Sequence, residues 1–463
     1  MQHLRGFGAV LLALVTTAVP QTVRADGWSA AGNLSVARER LAGALLQDGR
    51  FLAVGGQDAT TIYATADIYD PLSGVWSATD PMAVVRMNFT ATLLADGTVL
   101  VAGGRIPAPD FYTNSSERFD PATGTWSSAG TFPGRRSGHQ ATRLTDGKVL
   151  VTGGFGGSVD LATTALYDAT ANSWSAAAPM TTGRSSHAAV LLPDGRVLVI
   201  GGSGAGGVEL DSTEIYDPAT DSWADAAPLN EGRSGLTATL LPDGRVLASG
   251  GATNLASASN IAEIYDPDLD TWVTTPPMAT SHIDHTAHLL QDGTVLVVGT
   301  QGGIAASRFD PVSGTWSAAP KPAITLRRHA GSVLASGMVL IAGGVTSGAY
   351  VAGSELYDPA PNTPTPTPIP TDTPTAVATA TSTSTATPTA TPSATPTPTA
   401  TATATATPTN TPTSTATATA TATAALPVCA PTPVACTTAT KSRLTLTRKD
   451  DPKRSGFAWS WGN

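Results

Sequence analysis

The chain has 463 residues, with 26 basic and 35 acidic side chains and a formal charge of −9. Setting aside the eight basic and three acidic residues outside positions 26–360 leaves 18 basic against 32 acidic, a net −14, in that stretch. A surface of that sign repels phosphate backbones and argues against a nucleic-acid partner. The only two cysteines, Cys429 and Cys436, lie beyond the same stretch, so it is expected to fold without disulfides.

The first residues carry a basic start (His3, Arg5), an apolar run from Phe7 to Val19 and the small-residue pattern Val23-Arg24-Ala25. This order predicts a cleaved signal peptide over 1–25 and places the mature chain outside the cell, secreted or at the cell surface. The apolar run is shorter than the ~20 residues that a spanning helix needs, and no later segment is long and apolar enough, so no membrane span is expected after cleavage.

From 26 to 360 one unit of roughly 44 to 50 residues recurs. A clear copy reads Arg184-Ser-Ser-His187, an apolar run to Leu192, Asp194-Gly195, Arg196 to Ile200, Gly201-Gly202, a variable loop, Glu214-Ile-Tyr216-Asp217-Pro218 and Trp223. Asp-Gly between two apolar runs predicts a two-residue hairpin with a type I′ turn. The same turn falls at Asp48, Asp96, Asp146, Asp243 and Asp292, with Ser336-Gly337 as the last. The following glycine pair, as at Gly55-Gly56 or Gly103-Gly104, lets the chain leave its strand where a side chain would crowd a neighbour. Asp-Pro-x-x-Gly turns such as Asp120 to Gly124 join the third strand to the fourth. Each unit is therefore a four-stranded antiparallel meander.

The Tyr/Phe-Asp element occurs at Tyr69, Phe119, Tyr167, Tyr216, Tyr265, Phe309 and Tyr357, and six of these are followed by a tryptophan, from Trp76 to Trp316. The seventh has none after it, while an unmatched copy, Trp28-Ser-Ala-Ala, stands near the start. The fold class is thus all-β, a seven-bladed β-propeller of four-stranded antiparallel blades closed by the N-terminal strand. The Thr/Pro/Ala-rich stretch 361–425 has almost nothing to bury and reads as a disordered stalk. Residues 426–463 read as a short tail or the start of a further domain.

The order hairpin, Gly-Gly, Glu-x-Tyr-Asp-Pro, Trp resembles the kelch repeat, and seven copies in register resemble the central domain of galactose oxidase. That resemblance implies a propeller, and for an oxidase a copper site with tyrosines, histidines and a cysteine cross-linked to one tyrosine. No cysteine exists between 26 and 360, so this cofactor cannot form, and no cofactor is expected. The leading expectation is a monomeric binding module for a protein or an acidic glycan or peptide, not an enzyme. The alternatives are a carbohydrate-active or galactose-oxidase-like enzyme and a cell-wall spacer.

Two sets of residues are candidate sites. Arg38, Arg86, Arg136, Arg184, Arg233 and then His282 hold one position of successive units and are expected to converge near the mouth of the ring. Pairing each with its own unit's acid, such as Glu117, Glu214 or Glu263, would tie strands together. Left open, they would form a rim that grips an anionic ligand, as the resemblance to kelch propellers that bind acidic peptides implies. Ala165 stands where other units have the acid, which singles out Arg136. In the sixth unit His282, Asp284 and His288 share strand parity and are the candidate metal ligands. The recurrent His139, His187, His285 and His329 alternate with Leu41, Phe89 and Leu236 and read as packing positions.

Overall fold

The structure is a computed structural model that describes residues 26–254, 258–299, 306–324 and 326–359. The expected signal peptide, stalk, tail and two cysteines lie outside the described residues, as do Thr300 and Gln301. Seven four-stranded antiparallel sheets form the blades. Within each, chain order and spatial order agree except in the last, where the strand Gly27–Asn33 lies outside Gly353–Asp358. Trp28 pairs with Tyr357 in that ladder, so the seventh blade draws its outer strand from the start of the described chain. No helix among the described residues is long and apolar enough to cross a membrane.

The second strand of every blade carries the core. Phe51–Val54, Val99–Ala102, Val149–Thr152, Val197–Ile200, Val246–Ser249, Val295–Val298 and Val339–Ala342 are buried at all four positions. These strands have blade neighbours on both faces, which explains unbroken apolar runs where a half-exposed strand would alternate. The outer strand then hooks onto the preceding blade. Its tryptophan packs on its own blade's Tyr or Phe at 4.9 to 5.3 Å. The indole N–H is donated backwards, as from Trp76 to Ser354 Oγ at 2.9 Å, Trp223 to Ala178 O at 2.7 Å and Trp28 to Pro320 O at 2.7 Å.

The hairpins differ from the expected type I′ turn. Gly49 has φ +87° but Asp48 is not left-handed, and the bonds Gly49 N–H to Leu46 O and Leu46 N–H to Arg50 O close a three-residue loop. This is a type I turn followed by a left-handed glycine. The aspartate accepts the N–H two residues on, from Arg50 at 3.1 Å, and that local bond holds it in an ordinary conformation. The glycine pairs behave as expected, because a Cβ on Gly55 would lie 2.6 Å from Arg86 O and one on Gly56 2.7 Å from Glu39 O.

Candidate functional site

The five arginines lie inside the blades. Arg38, Arg86, Arg136, Arg184 and Arg233 are all 0% exposed. Arg86 reaches Glu117 at 2.7 Å, Arg184 reaches Glu214 at 2.7 Å and Arg233 reaches Glu263 at 2.6 Å. Arg38 pairs with Asp67 at 2.6 Å. Each carboxylate also accepts backbone N–H groups from the linker ahead of its arginine, as Glu214 does from Thr181 and Thr182. The guanidinium meanwhile bonds the carbonyl that ends the second strand, as Arg184 does to Gly201 O at 2.7 Å. The unit ties three segments of chain together, and no open anion-gripping rim remains.

Arg136 departs from this pattern as Ala165 foretold. It has no acid and instead donates to Gly153 O, Thr163 O, Pro133 O and Thr163 Oγ1, with its guanidinium carbon 5.4 Å from the Phe132 ring centre. Burial pulls its pKa down to about 10. Pro133 supplies the reason for the missing acid: it stands where Thr181 or Ala83 donates an N–H, and proline has none to give. The seventh blade is the converse. Leu326 replaces arginine, and Glu355 accepts only the N–H groups of Ala323 and Ile324 among the described residues, with burial raising its pKa. His282 fills the arginine place in blade six, 0% exposed, its Nδ1 2.7 Å from Gly299 O and its Nε2 3.2 Å from Ser307 Oγ.

The metal reading is corrected by the same geometry. Among the described residues no three His, Cys, Asp or Glu side chains group as metal ligands do. Strand parity fails because the strand begins only at Thr286, and Asp284 ahead of it has φ +49°. Its carboxylate turns to Arg328 at 2.8 Å, while His288 Nε2 meets Thr286 Oγ1 at 2.9 Å. The recurrent histidines are buried packing residues whose Nε2 meets a threonine of the preceding blade, as His187 does with Thr152 and His329 with Thr286, both at 2.9 Å.

Two residues after each arginine place, Arg40, Asn88, Gly138, Ser186, Gly235, Asp284 and Arg328 all have φ between 49° and 63°. Each donates its N–H to the carbonyl of its counterpart in the blade before, and the circuit closes from Arg40 to Arg328 at 2.9 Å. Five of the seven are not glycine, although a left-handed conformation is costly for arginine or serine. Arg328 lies between Asp284 and Glu39, at 2.8 and 3.3 Å. Burial opposes its charge, but these two acids raise its pKa, while burial and then Arg328 lower that of Arg40.

Around this circuit lie the loops between second and third strands. Phe111, Val159 and Val208, one from each of blades two to four, are exposed there. Between the loops of blades three and four runs a groove of about 660 Å³, walled by Phe155, Val159, Asp160, Thr182, Ser185 and Ser203. A second hollow of about 550 Å³ is lined by first strands, with Gln140, Thr237, Thr286 and His288 on its wall. The groove was not legible in the sequence, because nothing in the repeat marks its variable loops as neighbours.

A family model described as the KLHDC2/KLHL20/DRC7 kelch-repeats domain matches residues 44–251. Among solved structures, a fungal alcohol oxidase of the AA5 family in complex with copper aligns at TM-score 0.60 and 16% identity, over 73% of this chain and 77% of that one. The structure of YjhT aligns at TM-score 0.50 and 17% identity, over 62% and 98%. At such identities these likenesses show the fold alone. No curated protein matches the chain. The copper site that the oxidase resemblance implies does not fit: the propeller has no cysteine, and its six histidines are buried with a ring nitrogen of each bonded to a threonine hydroxyl or a backbone carbonyl. The repeats and the seven blades make the chain a seven-bladed β-propeller, of which residues 44–251 match the kelch-repeat model.

Proposed function

We propose that this kelch propeller is a secreted or surface-displayed module that binds a protein or glycan through the loops around the left-handed circuit. The observation that carries the reading is the set of exposed Phe111, Val159 and Val208 on three successive loops beside a groove of about 660 Å³. Loops on a rigid scaffold are where binding residues concentrate, and apolar side chains on adjoining loops mark a contact surface. Burial of the five arginines transfers recognition from them to the loops. Export rests on the basic-apolar-small order of residues 1–25. A peptide and glycan array probed with the full chain tests the module, which predicts a discrete set of ligands; signal on no feature would sink it.

A second reading, hydrolysis of a glycosidic bond, has one observation in its favour. Burial raises the pKa of Glu209, and the nearby charge of Asp160 adds to it, as a paired acid and base would require. Turnover of aryl glycosides that Glu209→Gln abolishes would establish it, and absence of turnover across such substrates would remove it.

A further inference from the structure

The groove between blades three and four has a chemistry more specific than its shape. Its wall is apolar at Phe155, which packs edge-on against Tyr112 with ring centres 5.9 Å apart, and at Val159, which is 58% exposed. Its polar side chains are the hydroxyls of Ser158, Thr181, Thr182, Ser185 and Ser203 and the carboxylate of Asp160, its one charged group. Glu209, which pairs with Ser203 across a short ladder at the groove's edge, holds a carboxylate whose buried Oε2 has no hydrogen-bond partner among the described residues. The charges of Asp160 and Glu209 oppose each other closely enough to raise the Glu209 pKa further.

Neither carboxylate has a basic partner among the described residues. Arg135 and Arg184 are committed elsewhere, to Asp110 and Glu214, and Lys148 and Arg196 are paired with Asp146 and Asp194. Two adjacent carboxylates without a cation, one with a buried free oxygen, carry a standing cost that an incoming positive charge would remove. An aromatic and an aliphatic wall leading to that charge suits a long apolar stem with a cationic head.

We infer that this groove receives a lysine or arginine side chain of a protein partner, its stem along Phe155 and Val159 and its head against Asp160, within the field of Glu209. The net −14 of the propeller stretch draws a basic partner in from a distance. The inference rests on the reading that the loop face is the binding face, and adds which chemistry that face selects.

The test is fluorescence anisotropy of labelled hexalysine, with hexaglutamate as the opposite-charge probe, against the full chain and three variants at physiological ionic strength. Asp160→Asn removes the groove's carboxylate and Glu209→Gln the neighbouring one, while Asp268→Asn removes the same charge from an exposed turn between third and fourth strands. Hexalysine is expected to bind and hexaglutamate not, with Asp160→Asn and Glu209→Gln each weakening binding about tenfold and Asp268→Asn less than about twofold. Equal weakening by all three would reduce the effect to general charge attraction and overturn the inference. Failure of hexalysine to bind also overturns it, and if an array ligand is still lost on loop substitution the binding-face reading survives that failure.

Discussion

Trp28 and Tyr357 stand opposite each other in the last blade with ring centres 5.2 Å apart, though they come from the two ends of the described chain. Tyr357 also donates its hydroxyl to Asp26 Oδ2 at 2.9 Å, and Trp28 hooks the preceding blade through Pro320 O. Removing residues 26–31 takes away a ladder, an aromatic pair and that hook together. Such a deletion is expected to lower stability by several kcal/mol, and Trp28→Ala alone by about 2–3, less than a fully buried tryptophan would because Trp28 is only half-buried. Thermal melting checks both, and an unchanged melting temperature after the deletion would show that the ring closes otherwise.

The arginine sites predict a graded series. Arg184→Ala leaves Glu214 buried without its counter-charge and is expected to cost about 3–5 kcal/mol. Arg136→Ala leaves only carbonyls and a hydroxyl unpaired, and should cost less, about 1–3 kcal/mol. Denaturant unfolding ranks the two, and equal costs would mean that the missing acid of blade three makes no energetic difference.

Acid sensitivity follows from the buried histidines. Burial pushes His139 and His329 down to about 3 and His288 to about 4, and His187 and His285 well below the usual value. A histidine whose pKa is lower folded than unfolded binds more protons when unfolded, so its contribution is intact above about pH 6.5 and is lost as pH falls towards the folded value. At pH 5 each of the deepest is expected to cost about 2 kcal/mol. Melting temperature should therefore fall steeply between pH 7 and pH 5, and His329→Leu, copying the leucine of blade one, should blunt that fall. A flat profile would contradict the burial argument.

Most of the architecture was legible because the repeat writes each blade in the same residues. Seven Tyr/Phe-Asp elements counted the blades, and the displaced Trp28 announced the closure. Ala165 announced the arginine without an acid, although its companion signal, Pro133 in place of an N–H donor, becomes readable only once Glu214 is seen to accept from Thr181 and Thr182. What the repeat could not convey was depth. Arg184 and its counterparts read equally well as an open rim or as strand ties, since periodicity fixes height along the axis and says nothing of distance from solvent. The left-handed circuit was hidden for a related reason, because Arg40, Asn88, Ser186, Asp284 and Arg328 share a backbone conformation that their side chains do not advertise. The groove walled by Phe155 and Asp160 depends on two loops that vary in sequence and meet only in the folded ring.

The most direct test of the binding-face account compares two pairs of substitutions on exposed residues at opposite ends of the blades. Phe111→Ala with Val159→Ser alters the loops between second and third strands, while Leu72→Ser with Val312→Ser alters the turns between third and fourth. Array signal from the full chain should vanish with the first pair and persist with the second. Signal that survives the loop pair and is lost with the turn pair would contradict the account.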